Sequence, residues 1–171
     1  MTIPYRGTTG DGTYFITASS LQKKALLQSD RMANLFVETL IEYRSQRKFE
    51  LHEFVVMPDH FHLLITPIVT LERAVQFIKG GFSFRAGKAF AFRGGIWQTS
   101  FYDRRVRDAA EYFSFKKYIY ENPVKRGLAD RPDQYPYSSA SGKFALDGVP
   151  QRLKPEPIEQ SERSAEALLH P

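Results

Sequence analysis

Residues 12–19 (GTYFITAS) form an aromatic and β-branched run behind a glycine-rich lead-in, a pattern that predicts a strand. Between residues 30 and 48 the apolar positions fall at Met32, Leu35, Phe36, Leu40 and Ile41. That spacing is close to helical, and Ser29 or Asp30 can cap the first turn. Residues 49–57 (FELHEFVVM) and 60–66 (HFHLLIT) read as two more strands, and only Pro58 and Asp59 separate them, which predicts an antiparallel hairpin. Residues 71–91 predict a helix kinked or interrupted at Gly80, Gly81 and Gly87. After Gly94 and Gly95, residues 96–106 (IWQTSFYDRRV) read as a strand or extended segment. Residues 108–121 predict a helix: Asp108 caps it, Glu111 sits at the third following position, and Asn122-Pro123 ends it. The order strand, helix, strand, strand, helix, strand, helix implies an α+β domain, with a mainly antiparallel sheet and helices packed against it. Residues 1–145 make up this domain. The remainder, 146–171, is rich in Pro, Glu, Gln and Ser and is expected to be a flexible C-terminal tail.

Composition narrows the chemistry. The 171 residues carry a formal net charge of +5, compatible with a polyanionic partner but not diagnostic of one. With no cysteine, disulfides and thiolate metal sites are excluded, so any metal must be held by imidazole, carboxylate or amide groups. No apolar run approaches the roughly 18 residues a membrane span needs. The N-terminal segment lacks the basic-then-apolar pattern of a secretory signal. A cytoplasmic protein with no membrane partner is the expectation.

Two segments carry candidate chemistry. In a strand, residues i and i+2 share a face, so His60 and His62 project side by side while Phe61 turns to the opposite face. Two imidazoles so placed make half a site for a divalent cation and need a third donor from elsewhere. An isolated HxH triplet is nonetheless more often a pair of ordinary histidines on a polar strand face. In the last helix, Tyr118 and Asn122 are four residues apart and share a face if the final turn reaches Asn122. A phenol can attack phosphorus once a cation neutralises the phosphate, and an amide oxygen is an acceptable hard ligand for magnesium or manganese. Spacing alone leaves Tyr112 and Tyr120 open as alternatives, and most aromatics of this helix are expected to be core.

Taken together, MPDHFHLL, WQTSFYDRRVR, YIYENPVKRGL and the Tyr135-Pro136-Tyr137-Ser138-Ser139 run resemble the REP-associated tyrosine transposases, relatives of the bacterial single-strand transposases of the HUH class. The resemblance spans about 130 residues. It implies a ferredoxin-like α+β fold and a site dependent on a divalent metal, magnesium or manganese. His60 and His62 match the HUH pair, Asn122 the helix-borne third ligand and Tyr118 the nucleophile. It further implies a 5′-phosphotyrosine intermediate on single-stranded or hairpin DNA, followed by rejoining. Arg104 stands where many relatives carry histidine; arginine cannot act as a base near neutral pH, so its expected role is phosphate contact.

Arg104, Arg105 and Arg107 precede the tyrosine helix, and Lys116, Lys117, Lys125 and Arg126 lie on or just after it; of these Arg104, Arg105, Arg107, Lys117, Lys125 and Arg126 are the DNA-binding candidates. Lys79, Arg85, Lys88 and Arg93 are interleaved with Phe77, Phe82, Phe84, Phe90 and Phe92, for which core packing is the expectation. Two rival functions stand beside strand cutting: a catalytically silent DNA-binding module of the same fold, and a hydrolase in which the histidines activate water. The sequence leaves the choice between monomer and homodimer open.

Overall fold

The structure, a computed structural model, describes residues 12–154. Its elements follow the order β1 (Tyr14–Ser19), α1 (Asp30–Ser45), β2 (Phe49–Met57), β3 (His60–Pro67), α2 (Leu71–Phe90), β4 (Tyr102–Arg105) and α3 (Ala109–Lys125). The sheet order is β2-β3-β1-β4 and every neighbouring pair is antiparallel. This is the expected α+β, ferredoxin-like arrangement, with α3 added. Tyr14, Ile16 and Ala18 of β1 face a core shared with Phe36 and Leu40 of α1 and Ile78 and Phe82 of α2. Phe15, on the alternate face, joins Val55, Met57 and Leu64 beneath Tyr112 and Ile119 of α3. With helices on both sides, β2 and β3 are buried on both faces, which is why they read as almost unbroken apolar runs. Among the described residues no helix is long and apolar enough to cross a membrane.

The hairpin is as expected: Met57 pairs with His60 across Pro58-Asp59. Ser29 caps α1 by accepting the Met32 N–H, and Asp108 caps α3 by accepting the Glu111 N–H.

Four expectations need correction. First, α2 runs unbroken through Gly80, Gly81 and Gly87. A Cβ on Gly81 would come within 3 Å of the Tyr43 ring, so this glycine serves the close approach of α1 and α2 instead of a kink. Second, of the 96–106 stretch expected as a strand or extended segment, only four residues form β4. Upstream, Trp97 packs its ring among Phe36, Phe61 and Phe82 and donates its indole N–H to the Lys79 carbonyl at 3.0 Å, leaving only an isolated bridge to Ser20. Third, α3 does not stop at Glu121 but continues through Pro123 to Lys125. Asn122 and Pro123 are buried, and the Arg126 and Leu128 N–H groups bond back to the Asn122 and Pro123 carbonyls, so packing overrides the usual cost of an interior proline.

The fourth correction concerns residues 146–154, which do not hang free. Along the outer edge of β2, the Val56 N–H donates to the Tyr137 carbonyl and the Phe54 N–H to Ser139 Oγ. Further on, Asp147 exchanges backbone and side-chain hydrogen bonds with Leu51 and takes a two-point ion pair from Arg44. His52 lies at a bulge in β2 and bonds to the Gly148 carbonyl and to Thr66. Leu153 is buried beneath α3. This strap covers a sheet edge that would otherwise expose unpaired backbone groups. The rest of the expected tail, 155–171, lies outside the described residues.

Burial alone would raise the Asp147 carboxyl, but the Arg44 and Leu51 hydrogen bonds outweigh it and hold the group below its usual range. A depressed carboxyl contributes stability that is present above its unfolded value and lost as pH falls through the folded one. Asp147→Ala is therefore expected to lower unfolding stability by about 1–3 kcal/mol at neutral pH. In urea titrations the gap to the parent protein should close as the pH falls below the ordinary carboxylate range; a gap that persists in acid would show that the ionised carboxylate is not the cause.

Candidate active site

β3 carries His60 and His62 onto the α3 side of the sheet, where both are almost wholly buried. Their Nε2 atoms converge to 3.1 Å. Each ring is held from behind at Nδ1, His60 by Asp59 and His62 by Thr17, both at 2.6 Å. An ionised carboxylate can only accept, so His60 carries its proton on Nδ1 and turns the Nε2 lone pair inward. Burial is also the main force on both titrations. It holds His62 down to about 3, reinforced by His60, Arg126 and Lys23, and it lowers His60 despite the opposing pull of Asp59. Neutral imidazoles at neutral pH are the form that binds metals.

The third group arrives from α3. Asn122 is buried, with its amide nitrogen 3.5 Å from His62 Nε2 and its Oδ1 without any hydrogen-bond partner. An orphaned buried carbonyl costs on the order of 1–3 kcal/mol. The two Nε2 atoms lie within hydrogen-bond distance of each other, and a protonated His62 Nε2 can donate to His60 in the metal-free protein. A cation between the three groups would satisfy that oxygen after a half-turn of the amide, with the His62 proton shifted to Nδ1 and accepted by Thr17. Among the described residues no three His, Cys, Asp or Glu side chains form a metal cluster, and the Asn122 amide is the further polar group that faces the histidine pair. The residues fit a hard divalent ion with positions left open.

Because α3 continues past Pro123, Tyr118 and Asn122 stay in helical register over the histidines. The Tyr118 ring lies edge-on to His62 at 5.1 Å and to Phe15 at 5.9 Å, and remains 43% exposed. Tyr112 is 1% exposed, and burial with Glu53 nearby pushes its phenol far up. Tyr120 is likewise raised by burial and Glu53, and Lys116 lies over its ring. Of the three candidate tyrosines, Tyr118 is the one beside the histidines.

The basic residues divide. Arg104 and Arg107 are both tied to Glu111, at 2.6 and 3.3 Å, while Arg105 lies opposite Tyr14 on β4. Lys117 and Lys125 share Glu121, and the Lys125 ammonium also lies 5.9 Å from the Tyr118 ring centre. Arg126 lines a hollow with Lys23, Asp59 and Leu128. Lys116 turns inward to the buried Glu53 at 2.9 Å, and Lys79 caps the Gln98 carbonyl, so both belong to the scaffold. Among the phenylalanines, Phe82 is core as expected, whereas Phe84 stays 70% exposed.

A family model of IS200-like transposases matches residues 11–122, a span that takes in both histidines, Tyr118 and Asn122. The chain belongs to the IS200-like transposase family. This transposase is 27% identical over 144 residues to the REP-associated tyrosine transposase of Escherichia coli K12, covering 80% of this chain and 84% of that one. A Haemophilus influenzae relative with a provisional description of the same kind is 29% identical over 153 residues, covering 78% and 82%. A solved structure of a REP-associated tyrosine transposase bound to a REP hairpin superimposes with a TM-score of 0.67 at 25% identity, covering 92% of this chain and 99% of that one. Tyrosine transposases are DNA endonucleases and strand transferases, so this transposase is an enzyme of that kind.

Sequence reasoning missed Thr17 and Asp59 as the groups that orient the imidazoles. Asp59 reads as a turn residue, and the partnership of Thr17 with His62 depends on the β1–β3 register, which no single strand reveals. Removing an orienting group from a metal-bound histidine typically weakens metal affinity about 10–100-fold. Asp59→Ala is expected to show a loss of that size in manganese titrations of the protein alone, with unchanged secondary structure by circular dichroism. An unaltered affinity would mean that Asp59 only shapes the turn.

Proposed function

We propose that the chain nicks and rejoins single-stranded DNA in hairpin-forming repeats through a covalent tyrosine link. The observation that carries this reading is the buried convergence of the His60 and His62 Nε2 atoms with the orphaned Asn122 amide, beside the accessible Tyr118. A magnesium or manganese ion held by His60, His62 and Asn122 would polarise the scissile phosphate and offset the charge that builds in the transition state.

The Tyr118 oxygen attacks the phosphorus. A bond from phosphorus to the phenolic oxygen forms as the bond to the 3′ oxygen breaks, the phenolic proton passes to solvent, and the departing 3′ oxygen takes up a proton. The products are a 5′-phosphotyrosine and a free 3′-hydroxyl. Attack by that hydroxyl, or by one from another strand, reverses the exchange and releases Tyr118. Asp59 keeps His60 in the tautomer that frees Nε2, and Thr17 can accept the His62 Nδ1 proton so that its Nε2 is free as well. Arg104, Arg105, Arg107, Lys117, Lys125 and Arg126 supply positive charge to the phosphates on either side, so binding weakens with salt. Such an enzyme works in the cytoplasm, on the nucleoid.

The test is incubation with 5′- and 3′-labelled hairpin oligonucleotides from repeats flanking the gene, with manganese or with EDTA. A metal-dependent covalent adduct on the fragment 3′ to the cut supports the reading. Cutting without an adduct would favour water activation by the histidines, and tight binding without cutting would favour a silent binding module.

A further inference from the structure

Beside Tyr118 lies an open cleft of about 460 Å³ lined by Phe15, Thr17, Tyr102, Arg104, Ser114 and Phe115, together with His62. Tyr118 and His62 both line it, but its other six walls are neither metal donor nor nucleophile. Its size falls within the roughly 300–1,000 Å³ of small-ligand pockets. The β1 register places Thr17 opposite both His62 on β3 and Tyr102 on β4, so these three residues form one row across the sheet and share its face. In the next row Phe15 is opposite Arg104.

The floor is rigid. Phe115 stacks flat on Phe15, with ring centres 4.3 Å apart and planes at 7°, and Phe15 lies nearly parallel to His62 at 5.4 Å and 16°. At the open side stands Tyr102, 56% exposed on the short edge strand. At the rim, one Arg104 nitrogen is fixed by Glu111, so the guanidinium is held in place with further N–H groups to offer. A large aromatic ring left in water at a site edge, between apolar walls and a fixed cation, is the equipment of a stacking platform.

For Tyr118 to reach a phosphodiester, the strand must be drawn against this face, and a base next to the cut must then leave its neighbours and find another surface. We propose that the cleft seats one unpaired nucleobase next to the scissile phosphate, stacked on Tyr102 with Arg104 and Ser114 offering polar contacts at its edge. Tyr102 is thereby a substrate-binding residue of the strand-cutting reaction. This inference rests on the strand-cutting reading above.

The experiment measures the affinity of the full chain for the flanking-repeat hairpin oligonucleotides, with single abasic residues placed in turn at each position of the single-stranded stretch. At one position the loss of the base is expected to weaken binding by about tenfold, the order of a single base–aromatic stack. Tyr102→Ala should weaken binding of intact DNA by a similar factor and show no further loss at that position. Tyr102→Trp should retain both the affinity and the abasic penalty. A flat abasic scan, or the same penalty in the parent and Tyr102→Ala, would overturn the proposal. Adduct formation on intact DNA is scored separately: its absence would defeat the strand-cutting reading, while the binding series still decides whether Tyr102 seats a base.

Discussion

Tyr118→Phe is expected to bind hairpin DNA as the parent does and to form no covalent protein–DNA product. The substitution removes only the phenolic oxygen. Because Tyr118 is 43% exposed, stability should stay within about 0.5 kcal/mol of the parent. Its ring can keep its edge-on contacts with His62 and Phe15, so the site should keep its shape. What disappears is the atom that forms the bond to phosphorus, and neither of the other two tyrosines of α3 stands ready to replace it. Tyr112 is sealed in the core, and Tyr120 is engaged with Glu53 and Lys116. Loss of a nucleophile that acts within a catalytic unit costs on the order of 10⁴-fold or more. The check is a denaturing gel of labelled oligonucleotide, with Tyr120→Phe beside it as a variant that should still form the adduct. An adduct on Tyr118→Phe would reassign the nucleophile.

The second large effect is expected at Asn122. Asn122→Leu keeps the size of the side chain but discards the amide. In the metal-free protein this should be neutral or slightly stabilising, because the carbonyl it removes is buried and unpaired. In manganese titrations the same variant should lose on the order of 100-fold in affinity, at or beyond the upper end of what losing an orienting group costs. Asn122→Asp, which restores an oxygen donor of the same reach, should recover most of it. This opposition separates a ligand from a packing residue, for which stability would fall and metal affinity would hold. An unchanged affinity in Asn122→Leu would leave the histidine pair needing another third donor.

Much of this was legible in the chain. The apolar patterns locate the three helices and the first three strands, because elements that bury a face must repeat every two or about 3.6 residues; the short, exposed β4 has no such period. The two-residue break at Pro58-Asp59 predicts the hairpin, and HxH in a strand places two imidazoles on one face. Local rules failed where long-range packing outvoted them. Gly81 signals a kink by propensity, but Tyr43 from α1 occupies the space that a side chain would need. Asn122-Pro123 signals a helix end, but burial of both residues carries α3 one turn further. Asp147 and Leu153 lie in a stretch whose composition suggests a loose tail, yet Arg44, Leu51 and the underside of α3 give them partners.

The sequence by itself determined the α+β class, the strand-borne histidine pair and the candidate tyrosines, since each follows from spacing within a single element. Only the tertiary structure decided that Thr17 backs His62, that the Asn122 amide faces the pair, and that Tyr118 stands beside it while Tyr112 and Tyr120 turn away. Those relations are set by strand register and by the docking of α3 on the sheet. Both arise from burial summed over residues far apart in the chain, which no local pattern records.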